Sequence, residues 1–94
     1  MTPYTEVMSG QAQLLDVRRQ DEWDAEHVKE ALHIPLDVLL RGEQSELLDR
    51  TKKIYIYCMA GGRADRATTY LKGQGFQAEN IGGLSDWRRA SSSV

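Results

Sequence analysis

The sequence has few of the features that tie a small protein together covalently or attach it to a membrane. Its 94 residues include one cysteine, Cys58. No disulfide can therefore close within the chain, and the thiol is either a small buried hydrophobe or a free reactive group. No apolar run approaches the ~20 residues that cross a bilayer. The opening, Met1-Thr2-Pro3-Tyr4-Thr5-Glu6, has neither a basic nor an apolar leader region, so no signal peptide is expected. A reducing cytoplasm is the expected compartment, with a mature exported form as the alternative. Basic residues are not in excess: 12 Lys and Arg face 14 Asp and Glu, a net charge of −2. That argues against a general nucleic-acid binder, but not against a small anionic ligand, which responds to the local field. Repeats and linkers are absent. One domain over 1–94 is expected, with 90–94 as a polar tail that frays. A chain of this length buries roughly 60–65% of its unfolded surface.

What is present alternates between strand and helix patterns. Thr2 with Pro3 suits the start of a short helix, and Tyr4, Val7 and Met8 give it an apolar side before Gly10. Gln13 to Arg18 reads as a strand, with Leu15 and Val17 on one face and Leu14 and Asp16 on the other. Gln20 to His27 reads as a polar helix anchored by Trp23, its acidic start and histidine end matching the helix dipole. Ala31 to Ile34 is a short strand stopped by Pro35. Leu36 to Leu40 makes an amphipathic turn, and Ser45 starts another with Leu47 and Leu48 facing inward. Lys53 to Tyr57 is β-branched and aromatic on both faces, as a central parallel strand should be. A helix follows from about Gly62 to Lys72, with Ala64, Ala67, Tyr70 and Leu71 inward. Gln77 to Ile81 is the last strand, and Leu84 to Arg89 the last helix, anchored by Trp87. The pattern predicts an α/β domain with a mostly parallel sheet.

The chemistry concentrates at Cys58-Met59-Ala60-Gly61-Gly62-Arg63-Ala64. Ligands of such sheets bind at the carboxyl ends of the strands, and Cys58 ends the central one. Gly61 and Gly62 let the backbone curl so that several N–H groups face one centre. The N–H groups from Met59 to Ala64 and the Arg63 guanidinium supply the positive surroundings that favour a thiolate. Alternatively, Arg63 is a surface charge of the helix. Taken by themselves, Asp16 and Arg18 read as an ordinary solvated strand-end pair. His27 and His33 lack metal-ligand spacing with each other or with Cys58; His27 fits a helix C-terminal cation. Trp23 and Trp87 read as core anchors. No cofactor or metal is called for.

Four segments together make the chain resemble the rhodanese-type, single-domain sulfurtransferases. Leu14-Leu15-Asp16-Val17-Arg18 with Glu22-Trp23 is similar to the first strand and turn of that family. His27-Val28 with Ala31-Leu32-His33-Ile34-Pro35-Leu36 is similar to its histidine-to-proline segment. Tyr57-Cys58-Met59-Ala60-Gly61-Gly62-Arg63-Ala64 resembles its active-site loop, and Gly82-Gly83-Leu84-Ser85-Asp86-Trp87 its closing motif. Glu26 and Glu30 stand where the family pattern has glycine, and Ala60 stands where some members carry a cation.

The resemblance implies a five-stranded, mostly parallel sheet flanked by helices on both faces. It also implies sulfur transfer through a Cys58 persulfide. The donor would be a compound such as thiosulfate. The acceptor would be cyanide or a thiol, including a thiol on another protein. Residues Met59, Ala60, Gly61, Gly62, Arg63 and Ala64 would bind the substrate, and Asp16 and Arg18 would support them. A relay module taking persulfide from a partner protein is the alternative. Phosphatase-like or arsenate-reducing chemistry is disfavoured: four residues separate Cys58 from Arg63, one fewer than in cysteine-based phosphatase loops.

Overall fold

A computed structural model of the chain describes residues 2–92. Helix α1 (Pro3–Met8) is capped by Thr2, whose hydroxyl accepts the Thr5 N–H. This satisfies one of the amides that a helix start leaves without a partner. Strand β1 (Ala12–Asp16), helix α2 (Gln20–Ala25), strand β2 (Leu32–His33) and helix α3 (Leu36–Leu40) follow. A single 3₁₀ turn, Ser45–Leu47, precedes strand β3 (Lys53–Cys58), helix α4 (Gly62–Gly73), strand β4 (Ala78–Gly83) and helix α5 (Leu84–Ser92).

The sheet has the order β2-β1-β3-β4, and every pairing is parallel. The resemblance implied five strands, whereas the described residues form four. The reason lies in the sequence itself. The leucines after Pro35 repeat at helical spacing, and the segment before Ala12 is capped as a helix, so no fifth β-prone stretch remains.

Alternation along β3 divides the core in two. Ile54, Ile56 and Cys58 face one side, with Leu15, Val17, Leu39, Ala64, Ala67, Leu71 and Phe76. Tyr55 and Tyr57 face the other, with Leu14, Val28, Leu84 and Trp87, and Tyr4 and Val7 pack against them. Thus α3 and α4 cover one face and α1 and α5 the other. Each fully buried Ile or Leu contributes roughly 1.5–3 kcal/mol, and Leu15, Ile54, Ile56 and Leu71 are all fully buried. Among the described residues no helix is long and apolar enough to cross a membrane.

Several local expectations are corrected. Helix α2 ends at Ala25 rather than His27. Leu47 does not face inward with Leu48: it is 52% exposed while Leu48 is buried, because a 3₁₀ turn of three residues lacks a continuous inner stripe. Helix α5 runs past the expected end at Arg89 to Ser92, and the hydroxyls of Ser91 and Ser92 donate to the Arg88 carbonyl. The rest of the expected tail, 93 and 94, lies outside the described residues.

Candidate active site

Cys58 is the last residue of β3 and is 1% exposed. It registers with Gly83 of β4, across an irregularity that separates this pairing from Ile56 with Asn80. The chain then turns within three residues and enters α4. Gly61 makes that turn at φ +104° as the residue preceding the helix, a conformation that glycine adopts without Cβ strain. Its N–H donates to Cys58 Sγ at 2.9 Å. The sulfur therefore sits at the start of a helix of 12 residues, where the helix dipole and free amides favour negative charge.

The remaining loop residues take different places. Met59 and Ala60 are exposed, Met59 at 51%. Gly62 is exposed as the first helical residue. The methyl group of Ala64 is fully buried in the core, and its carbonyl accepts the Thr68 hydroxyl at 2.7 Å. Arg63 is not a free helix-surface charge. It holds Glu22 of α2 through two hydrogen bonds, Nη1 to Oε1 at 2.6 Å and Nη2 to Oε2 at 3.0 Å. This bond to Arg63 is the main reason the Glu22 carboxyl is held at about 2, and the amide of Arg19 assists. In turn Glu22, ahead of the opposing effect of burial, raises the Arg63 guanidinium above its usual range; the charge of Cys58 adds to the rise.

Asp16 and Arg18 are not a solvated pair: their side chains are 0% and 1% exposed. The guanidinium grips both carboxylate oxygens, and the Arg18 amide donates to Oδ1 at 2.8 Å. Burial is the largest single influence and works against the Arg18 charge, but the hydrogen bond to Asp16 together with the charges of Asp16, Tyr57 and Glu22 outweighs it, and the pKa rises. The pair's hydrogen bonds do not run to residues 59–64. Arg18 Nη2 donates to the Glu26 carbonyl at 2.7 Å, and its guanidinium lies over the Tyr57 ring. The Tyr57 phenol is pushed above its ordinary range by burial first and by its bond to Asp16 second. The pair thus supports the residue preceding Cys58 rather than the loop.

Four further residues shape the site. Asn80 donates to the Gly61 carbonyl at 3.0 Å and accepts the Gly82 N–H at 2.8 Å, tying the loop to β4. Asp86 accepts the Gly83 N–H. Glu22 belongs to the acidic start of α2 and to the segment that resembles the family's first turn, and it carries the bond to Arg63. Trp23 is half-buried between α2 and β2, stacked on His27 at 3.6 Å and on His33 at 4.5 Å. His27 Nδ1 lies 2.8 Å from the Trp23 carbonyl, so it closes the end of α2. No local pattern marks Asn80, since its partner Gly61 is 19 residues away.

Beside the loop lies a cleft of about 340 Å³ lined by Val17, Arg19, Pro35, Leu36, Asp37 and Arg63. Its lining is mainly apolar and includes two cations, Arg19 and Arg63. The Arg19 guanidinium pairs with Asp21 at 3.1 Å, and Asp37 pairs with Arg41 at 3.4 Å.

A family model described as a rhodanese-like domain matches residues 4–90. The chain is 35% identical over 77 residues to the thiosulfate sulfurtransferase GlpE of Coxiella burnetii, covering 80% of this chain and 70% of that one. It is 33% identical over 73 residues to the thiosulfate sulfurtransferase PspE of Escherichia coli, covering 77% and 70%. Among solved structures, the human single-domain sulfurtransferase TSTD1 superposes with a TM-score of 0.78 at 26% identity, covering 92% of this chain and 88% of that one.

Proposed function

The chain belongs to the rhodanese-like domain family, and on that premise we propose that it transfers a sulfane sulfur through a persulfide on Cys58. One observation carries the reading. The single thiol of the chain ends the central strand, with the Gly61 N–H on its sulfur and the start of α4 beside it. Two relatives named for thiosulfate support that compound as a donor.

The steps follow from nucleophilic catalysis. Cys58 loses its proton, and the thiolate attacks the outer sulfur of thiosulfate. A new S–S bond forms, the bond to the sulfonate sulfur breaks, and its electron pair leaves with sulfite. Cys58 then carries a terminal anionic sulfur at the N-terminal end of α4, whose amides stabilise that charge as fixed dipoles. Cyanide or a thiolate attacks the terminal sulfur, takes it, and returns the Cys58 thiolate. Binding falls to the backbone of residues 59–64, and Asp16 with Arg18 holds the strand end beneath them.

Mass spectrometry after thiosulfate treatment tests the reading. A gain of one sulfur atom, lost on adding cyanide or thiol, is expected; an unchanged mass in Cys58-containing protein would overturn it. A persulfide relay from a partner protein is favoured by one feature: the loop tip is uncharged and exposed at Met59 and Ala60. Fast transfer from a protein persulfide with slow transfer from thiosulfate would identify the relay. The phosphatase alternative loses support, because Arg63 is bonded to Glu22 and not left free to complete a phosphate cradle.

A further inference from the structure

The sulfur loop contains one cation, Arg63, and that cation is already taken. Both its terminal nitrogens bond to Glu22. The Glu22 carboxylate is itself held in place, since Oε1 also accepts the Arg19 N–H at 3.0 Å. The Glu22 side chain is 13% exposed and that of Arg63 30%, so water screens the pair only in part. The contact joins residues 41 positions apart; it is therefore not an accident of helical spacing. The other cation of the cleft, Arg19, pairs with Asp21 at 3.1 Å and lies 3.8 Å from Glu22. Both guanidiniums of the cleft are thus paired, Arg19 with Asp21 and Arg63 with Glu22, and its carboxylate, Asp37, is paired with Arg41. A charge paired at hydrogen-bond distance presents mainly a dipole to an approaching ion, and its attraction falls off faster with distance than that of a bare charge. With its carboxyl held at about 2, Glu22 stays ionised at any working pH.

We propose that Glu22 is a specificity-determining positioning residue. By binding Arg63 through both oxygens, it fixes the guanidinium and cancels its pull on anions, so the site favours low-charge sulfur donors over multiply charged ones such as thiosulfate. The proposal rests on the reading of Cys58 as the reacting sulfur, but its test need not use sulfur transfer.

Iodoacetate and iodoacetamide alkylate the same sulfur and are of similar size, but only the first is an anion. The ratio of their rates at Cys58 reports the charge felt at the mouth. Glu22→Gln keeps an oxygen for the Arg19 amide and removes the charge. It should raise the iodoacetate-to-iodoacetamide ratio about three- to tenfold, the scale of one unit charge released at a partly wet site. Glu22→Asp keeps the charge and should stay within about twofold of the unmodified protein, as should Asp24→Asn, which removes an exposed charge of the same helix without touching Arg63. Arg63→Lys keeps the cation but loses the two-point hold. It should also raise the ratio, which keeps the proposal testable if Glu22→Gln does not fold. A purely structural tie would slow or speed both reagents alike, and that result would overturn the proposal. A fall in the ratio would also overturn it, because Glu22 would then be presenting Arg63 to anions. Failure of every sulfur donor to add mass would instead overturn the persulfide reading and leave the alkylation ratio standing. If both hold, Glu22→Gln lowers KM for thiosulfate while kcat changes less.

Discussion

The α-carbon of Gly83 lies so close to the carbonyl of Met59 that a methyl group at position 83 would overlap that oxygen. The neighbouring atoms are backbone atoms of the sulfur loop, the Met59 carbonyl and the Ala60 amide nitrogen, and they cannot rotate away as a side chain would. The end of β4 and the loop after Cys58 are therefore fitted against each other at a point where only glycine is accommodated.

Gly83→Ala should accordingly displace the loop. Overpacking of this kind costs about 1–3 kcal/mol, and urea unfolding should show a loss in that range. The alkylation rate of Cys58 should change as well, because the loop carries the Gly61 amide that bonds the sulfur. Unchanged stability together with unchanged thiol reactivity would show that the loop has slack here.

The Asp16–Arg18 pair leads to a larger expected effect. Both side chains are buried, and every oxygen of the carboxylate is bonded to Arg18. Asp16→Asn leaves a buried guanidinium without its counter-charge, which costs about 3–5 kcal/mol. Chemical denaturation is the measurement; a loss below about 1 kcal/mol would place the pair among exposed ion pairs in energetic terms.

The fold around β3 could be read from local sequence, while much of the site's support could not. An apolar, β-branched run, a glycine turn and a helical apolar stripe are each set by neighbours a few residues apart, so the β3–loop–α4 unit and the order of elements were accessible. The four strands of the described residues depart from the five that family resemblance implied, since the segments before Ala12 and after Pro35 form helices. Charged residues at a strand end usually face water, and nothing near Asp16 and Arg18 shows that Tyr57 will bond the first and the Glu26 carbonyl the second. The Glu22–Arg63 and Asn80–Gly61 contacts span 41 and 19 residues, and no periodicity links such positions. Leu47 misled because its spacing suits a helix that the chain does not continue.

Acid should reveal the Glu22–Arg63 pair. In the folded protein the Glu22 carboxyl is drawn from 4.5 to about 2, chiefly by Arg63. Between those values the unfolded chain binds the proton more readily, so stability rises with pH there. The contribution is complete above about pH 5 and disappears as pH falls through about 2. Discounted for the partial exposure of Arg63, it amounts to about 1–3 kcal/mol. Urea midpoints for the unmodified protein and Glu22→Gln should differ at pH 6 and converge near pH 2. A constant gap across that range would mean that the pair is not the source.

Cys58→Ser should leave the fold in place, since serine is close in size and its oxygen can accept the Gly61 N–H that now reaches the sulfur. The variant should take up no sulfur from any donor, because an alkoxide is not accessible near neutral pH. Circular dichroism with intact mass after thiosulfate treatment separates the two statements. Any sulfur gain by folded Cys58→Ser would remove the cysteine from the mechanism.

Asn80 offers the most selective test of how the loop is held. Its amide touches Gly61 through the carbonyl and Gly82 through the N–H, whereas the same Gly61 contributes its own N–H to the sulfur. Asn80→Ala removes two hydrogen bonds and should cost about 1–3 kcal/mol of stability. The more telling consequence is kinetic. A loosened Gly61 amide stabilises the sulfur charge less as it develops, so kcat for sulfur transfer should fall more than KM rises. Asn80→Asp keeps the acceptor for Gly82 but replaces the donor to Gly61 with a carboxylate oxygen. It should restore the turn at Gly82 and not the rate. Equal recovery of both would assign Asn80 to strand geometry alone, with the sulfur held by the helix start unaided.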